Sequence, residues 1–163
     1  MAKAKRKAKA RSAKSKTKRK LAAKSAKRAS VAARARRPKQ KFTFSHHREA
    51  DFDAGLRSYA KYRDLGIAPA TGGMVQAHVI RFNPPFKAEE VSIAHYHDVD
   101  FQMVYVLKGW ISSEFEGQGE HTFTAGSCWI QPPKIKHKVT GYSDDCELLE
   151  IILPAEFETV ALD

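Results

Sequence analysis

The charges of this 163-residue chain are sorted along it, and that sorting limits what can fold. Residues 1–41 contain 19 of the 29 Lys and Arg and no Asp or Glu. Residues 42–163 contain the other 10 bases and all 18 acids. The two stretches therefore carry +19 and −8, and the overall +11 describes neither of them. Between Met1 and Lys41 nearly every residue is Lys, Arg, Ala, Ser or Thr, with Leu21 and Val31 the only larger apolar side chains after Met1. Such a segment cannot bury enough apolar surface to offset the entropy of ordering it, so a disordered arm is expected when the chain is free. Parts of it could turn helical once an anion neutralises the charge, because Ala and Lys are good helix formers. The fold must be built from residues 42–163, enough for one domain with a single core.

Within that stretch the pattern is short β-rich runs cut by turn residues. Met74–Phe82 ends at Pro84-Pro85, Val91–His97 follows, and Gln102–Leu107 is closed by Gly109. Trp110–Glu116 and Glu120–Thr124 flank Gly117-Gln118-Gly119 as a hairpin. Ser127–Gln131 stops at Pro132-Pro133, and His137–Thr140 and Glu147–Leu153 complete the set before Pro154. Seven or eight such strands predict an all-β antiparallel barrel or jelly roll. The run from Met103 to Leu107 is apolar on both faces, which suggests a second layer or a dimer partner outside the barrel. Ahead of the strands, Leu56, Tyr59, Ala60 and Tyr62 predict a short helix over 54–64, and Gly66–Gly73 reads as loop. The expected organisation is a basic tail at 1–41, a pre-barrel helix and loop at 42–73, and a barrel at 74–163.

Of seven histidines, three stand apart. His95 and His97, at i and i+2 in a strand, point to the same face and offer two neutral nitrogen donors to one cation. His137 opens a later strand after the Pro132-Pro133 turn, where it could face the pair. Gln102 opens the intervening strand, and its carbonyl oxygen can be a fourth neutral donor. His46, His47 and His121 are expected at the surface, and His78, inside a strand, is expected to pack or to line the pocket. Arg57, Tyr59, Arg63 and Glu150 are further candidates for the substrate pocket. Neither a phosphate-binding loop, a G-x-S-x-G elbow nor a dinucleotide fingerprint is present.

These spacings resemble the two motifs of the cupin family, G-x5-H-x-H-x3,4-E-x6-G and G-x5-P-x-G-x2-H-x3-N. Here His95-x-His97, four residues, Gln102, six residues and Gly109 follow the first motif. Gly126, five residues, Pro132 and then His137 follow the second. The resemblance spans about residues 74–153. Four positions depart from it: Glu89 for the leading glycine, Gln102 for the glutamate, Lys134 for the second motif's inner glycine and Gly141 for its asparagine. The resemblance implies a double-stranded β-helix. It also implies one divalent metal ion (Fe, Mn, Ni or Zn) held by His95, His97, Gln102 and His137.

With Gln102 in place of glutamate, all four donors are neutral, so the ion keeps its full charge and favours anionic ligands. The site also lacks the carboxylate of the two-histidine, one-carboxylate iron centre. Cupins with three-histidine iron sites imply that oxygen chemistry does not require it. The expected function is a metal-dependent, dioxygenase-like oxidoreductase acting on a small anionic molecule. Two alternatives stay open: a non-catalytic ligand-sensing cupin tethered to nucleic acid by its tail, and a metal-dependent isomerase or lyase.

The tail composition is similar to the Lys/Ala-rich tails of linker histones and bacterial nucleoid proteins. Candidate polyanion contacts are Lys3, Lys5, Arg6 and Lys7 at its start, Lys18, Arg19 and Lys20 in its middle, and Arg36 and Arg37 near its end. Having no aromatic residue before Phe42, it cannot stack on bases and should follow a phosphate backbone without reading sequence. Folding back onto the acidic barrel, binding anionic lipid and serving as a targeting extension are the competing roles. Cys128 and Cys146 form no CxxC pair and are expected as reduced thiols of a cytoplasmic homodimer, with association with the nucleoid as an alternative. No apolar run approaches the ~18 residues of a membrane span, and no apolar segment follows the positive N-terminus as a secretory signal would require.

Overall fold

The structure is a computed structural model that describes residues 38–55 and 57–162. Residues 1–37 lie outside the described residues, and with them every polyanion-contact candidate from Lys3 to Arg37.

Among the described residues, eleven strands form two antiparallel sheets. The first sheet has the order β1-β2-β3-β10-β5-β8, and the second the order β11-β4-β9-β6-β7. The six-stranded sheet consists of β1 (Asp53–Ala54), β2 (Ala60–Asp64), β3 (Gln76–Phe82), β5 (Phe101–Lys108), β8 (Cys128–Ile130) and β10 (Glu147–Leu153). The five-stranded sheet consists of β4 (His95–Asp98), β6 (Trp110–Phe115), β7 (Gly119–Thr124), β9 (His137–Tyr142) and β11 (Glu158–Ala161). This is the jelly-roll barrel expected from the strand pattern.

Polarity along the inner strand faces runs in one direction. On β3 it passes from His78 through Ile80 to Phe82, on β10 from Glu150 to Leu148, and on β5 from Gln102 through Val104 to Val106. The registers His78↔Glu150 and Ile80↔Leu148 bring like ends together. One end of the interior is therefore an apolar core, in which Val106, Ile111, Cys146 and Leu148 pack with Phe82 and Tyr142. Fully buried side chains such as Val106 and Ile111 contribute about 1.5–3 kcal/mol each through burial. The other end is polar.

The helix expected over 54–64 is not formed. β1 and β2 pair with each other, and β2 pairs with β3 from Ala60↔Phe82 to Asp64↔His78. The spacing of Tyr59, Ala60 and Tyr62 fits a helix, but Ala60 and Tyr62 also alternate as a strand does, and pairing with β3 decides the matter. Ala60 joins the core while Lys61 is exposed. The helix lies instead in the expected loop, at Ile67–Thr71, between Gly66 (φ 71) and Gly72 (φ 63). A second helical turn, Ala88–Val91, takes the first residue of the strand expected at 91–97, and β4 begins only at His95. β11 lies beyond the last strand expected from the sequence.

The turn before β9 keeps the shape of the glycine it lacks. Lys134 adopts φ 63, its N–H donates to the His97 carbonyl (3.0 Å), and its ammonium pairs with Asp98 (3.1 Å). Gly109 has φ 67, and a Cβ there would lie 2.0 Å from Ser143 Oγ. Cys128 and Cys146 are both free thiols. Among the described residues, no helix is long and apolar enough to cross a membrane.

Candidate metal centre and cavity

Strand register assembles the three motif histidines. His95 and His137 are direct partners across β4 and β9, and His97 follows His95 by two residues on the same face. The ring centroids are 4.4 Å apart for His95 and His137, 5.0 Å for His95 and His97, and 5.2 Å for His97 and His137. One potential ligand atom from each lies within 4.8 Å of the others.

Each Nδ1 is bonded away from that meeting point. His95 Nδ1 bonds to the Ile93 carbonyl (2.8 Å), His137 Nδ1 to the Ile135 carbonyl (2.9 Å) and His97 Nδ1 to Thr159 Oγ1 (2.9 Å). A carbonyl can only accept, so Nδ1 of His95 and His137 carries the proton and Nε2 presents its lone pair. Burial pushes the His95 imidazole down to about 3 and that of His97 to about 4, and it also lowers His137. All three are thus neutral near neutral pH, the state a metal ligand requires. Three uncharged imidazoles whose outer nitrogens are tied down match the donor set of a divalent transition metal, so the residues fit such an ion.

The six-stranded sheet faces them with different chemistry. Glu150 Oε2 bonds to His78 Nε2 and Glu150 Oε1 accepts from Gln102 Nε2, both at 2.6 Å. His78 is the direct cross-strand partner of Glu150, whereas Gln102 lies diagonal to it across the β10–β5 pair. Burial works against the Glu150 carboxylate, but hydrogen bonds from His78 and Gln102 and the nearby imidazoles outweigh it. The net effect lowers its pKa. Gln102 is 1% exposed and does not line the cavity. Its amide nitrogen is committed to Glu150.

The cavity measures about 370 Å³. Of the pocket candidates, Arg57, Tyr59, His78 and Glu150 line it. Arg63 does not, which corrects that expectation. Its place on a strand rather than a helix turns it away from Ala60 and Tyr62, and its Nη1 donates to Ser45 Oγ (3.0 Å). Its guanidinium also lies over the Phe52 ring at 5.8 Å. His46, His47 and His121 are exposed, as expected.

Gln131, Trp129, Phe157 and Thr159 also line the cavity and were not anticipated. Gln131 is buried, accepts from Trp129 Nε1 (3.0 Å) and has its amide nitrogen 3.2 Å from His137 Nε2. Its place just before the Pro132-Pro133 turn was the one available sequence signal. Phe157 and Thr159 follow Pro154, where the sequence reading stops.

Residues 86–152 match the family model described as Cupin domain. The barrel belongs to the cupin superfamily. It is similar in structure to KdgF from Halomonas sp., with a TM-score of 0.57 and 19% identity, covering 72% of this chain and 96% of that one. A second similar structure is the polyketide cyclase RemF from Streptomyces resistomycificus, with a TM-score of 0.57 and 18% identity, over 73% of this chain and 85% of that one. Salicylate 1,2-dioxygenase from Pseudoaminobacter salicylatoxidans is matched at a TM-score of 0.53 and 11% identity, over 67% of this chain but 30% of that one. At these identities the likeness is one of fold. No curated protein sequence matches the chain.

Proposed function

We propose that this protein is a metal-dependent cupin enzyme of the oxygenase type, acting on a small anionic molecule in the barrel cavity. The observation that carries this reading is the triad of neutral imidazoles, each with Nδ1 bonded outward and a ligand atom within 4.8 Å of the others. His95, His97 and His137 would hold the ion through Nε2, with the Gln102 carbonyl oxygen as fourth donor. A divalent iron there would supply Lewis acidity toward an anionic ligand and one-electron chemistry toward dioxygen.

The chain's own residues supply the rest. Tyr59, Trp129 and Phe157 wall the cavity with apolar surface. Arg57, also on the wall, orients a negative group. The Glu150–His78 pair, bonded at 2.6 Å, can relay a proton to or from the cavity. That carboxylate also favours the second reading, an isomerase or lyase in which proton movement suffices. The RemF cyclase and the salicylate dioxygenase named above support both readings as chemistries carried by similar barrels.

Oxygen uptake by iron-loaded protein, measured with candidate acids and compared with anaerobic turnover of zinc-loaded protein, tests the choice. Substrate-dependent oxygen consumption supports the oxygenase. Turnover without oxygen, under zinc, supports the isomerase or lyase.

The tail, with its 19 bases, is proposed to contact the phosphate backbone of a nucleic acid or another polyanion. Binding through 6–10 phosphates would weaken by roughly 10³–10⁵ between 50 and 200 mM salt, and deleting residues 1–41 should abolish it. A homodimer remains the proposed assembly. The exposed Tyr105, Leu107 and Ile130 on β5 and β8 offer it apolar surface, and sedimentation of Ile130→Glu tests this.

A further inference from the structure

The shape and charge of the cavity narrow the class of its ligand; this step rests on the reading of the cavity as the substrate site. Its flat walls are held in place. Trp129 is stacked on Phe123 at 4.1 Å and 15°, and its indole nitrogen is bonded to Gln131. Tyr59 lies parallel to Phe82, at 6.3 Å and 5°. Phe157 packs edge-on to His97 at 5.5 Å and 83°. These planes come from three separate parts of the chain and all face one cavity. Rings fixed in this way favour flat, apolar ligands and give up little conformational entropy on binding.

The charges select further. Arg57 lines the cavity with its guanidinium 5.9 Å from the Tyr59 ring centroid, and among the described residues it makes no ion pair. The facing carboxylate, Glu150, has one oxygen bonded to Gln102 and the other to His78. Arg57, with no ion pair among the described residues, can therefore take one negative charge on the ligand. A cavity of about 370 Å³ lies in the range that takes a small organic ligand.

We propose that the cavity binds a planar aromatic acid or phenolate, with the ring system between the Trp129 and Tyr59 walls and the anionic group directed to Arg57. The proposal is tested by calorimetric titration of the full chain with three probes: 2-naphthoate, neutral 2-naphthol and cyclohexanecarboxylate. Each is run on metal-stripped and on zinc-reloaded protein, with zinc uptake measured separately. Any attraction of the basic tail for anions is shared by the two acids and cancels in their comparison.

We expect 2-naphthoate to bind at one site per chain, about tenfold or more tighter than either other probe. Arg57→Gln should bring naphthoate down to naphthol, and Trp129→Leu should bring it toward cyclohexanecarboxylate. Equal binding of the two acids by the wild-type protein would overturn the proposal whatever the variants do. So would naphthoate affinity unchanged in a folded Arg57→Gln. Zinc uptake without aromatic selectivity sinks this proposal and leaves the metal site standing. Selectivity without zinc uptake does the reverse.

Discussion

The two sheets that enclose the cavity bring different chemistry to it. The five-stranded sheet supplies His95, His97 and His137, neutral and bonded outward through Nδ1. The six-stranded sheet supplies a carboxylate, Glu150, bonded to His78 and Gln102. Gln102 occupies the place where the cupin motif has glutamate, and the acid stands two residues along the facing strand's register instead. The interior thus still contains a carboxylate, but one engaged by side chains of its own sheet. One wall is built to hold a cation and the other to hold a proton, and a change that confuses the two should be costly.

The largest effect should come from putting the acid back where the motif has it. Gln102→Glu replaces the amide that donates to Glu150 at 2.6 Å with a second carboxylate. Two like charges at that distance cannot both ionise, so the metal-free protein should lose about 3 kcal/mol of stability. Denaturant titration in chelator measures the loss, and Gln102→Glu/Glu150→Gln should recover most of it. A single substitution without cost would mean that the walls are not divided in this way.

A smaller effect concerns pH. An ordinary imidazole titrates at 6.5, whereas His95 is held down to about 3 and His97 to about 4. Three ordinary imidazoles would each lose metal affinity by roughly tenfold per pH unit below that value. Here zinc affinity should fall less steeply than that between pH 6.5 and 5, as competition titrations can show. Stability of the metal-free protein has the opposite sensitivity. As pH falls below 6.5 the unfolded chain binds protons that these native histidines refuse, so stability is lost progressively toward pH 4 and 3. Zinc affinity falling steeply from pH 6.5 would show the imidazole wall to be solvated.

The smallest effect lies in the turn that delivers β9 to the imidazole wall. Lys134 holds φ 63, a conformation that costs a side chain about 1–2 kcal/mol, and its ion pair with Asp98 is exposed. Lys134→Gly should raise stability by about 0.5 kcal/mol, since glycine's greater freedom in the unfolded chain offsets part of the gain. Thermal unfolding would register it, with zinc affinity unchanged.

The imidazole wall could be read from the sequence and the carboxylate wall could not. His95 and His97 share a face by strand period alone, and the spacing to Gly109, Pro132 and His137 fixed the rest. Glu150 meets Gln102 only because β10 lies between β3 and β5 in one particular register, and no local pattern encodes that. Tyr59, Ala60 and Tyr62 satisfied helical and strand periods alike, so the first hairpin was decided by its partner strand. Thr159, which fixes His97, sits on a four-residue strand too short to show a period.

The central claim is that the five-stranded sheet holds one divalent metal ion. Its most direct test is elemental analysis of untagged full-length protein beside the His95→Ala/His137→Ala variant, both as purified and after reconstitution. The account predicts about one equivalent of iron, manganese, nickel or zinc per chain in the wild type and almost none in the folded variant. A wild type that takes up no metal, or a variant that takes up as much, would contradict it.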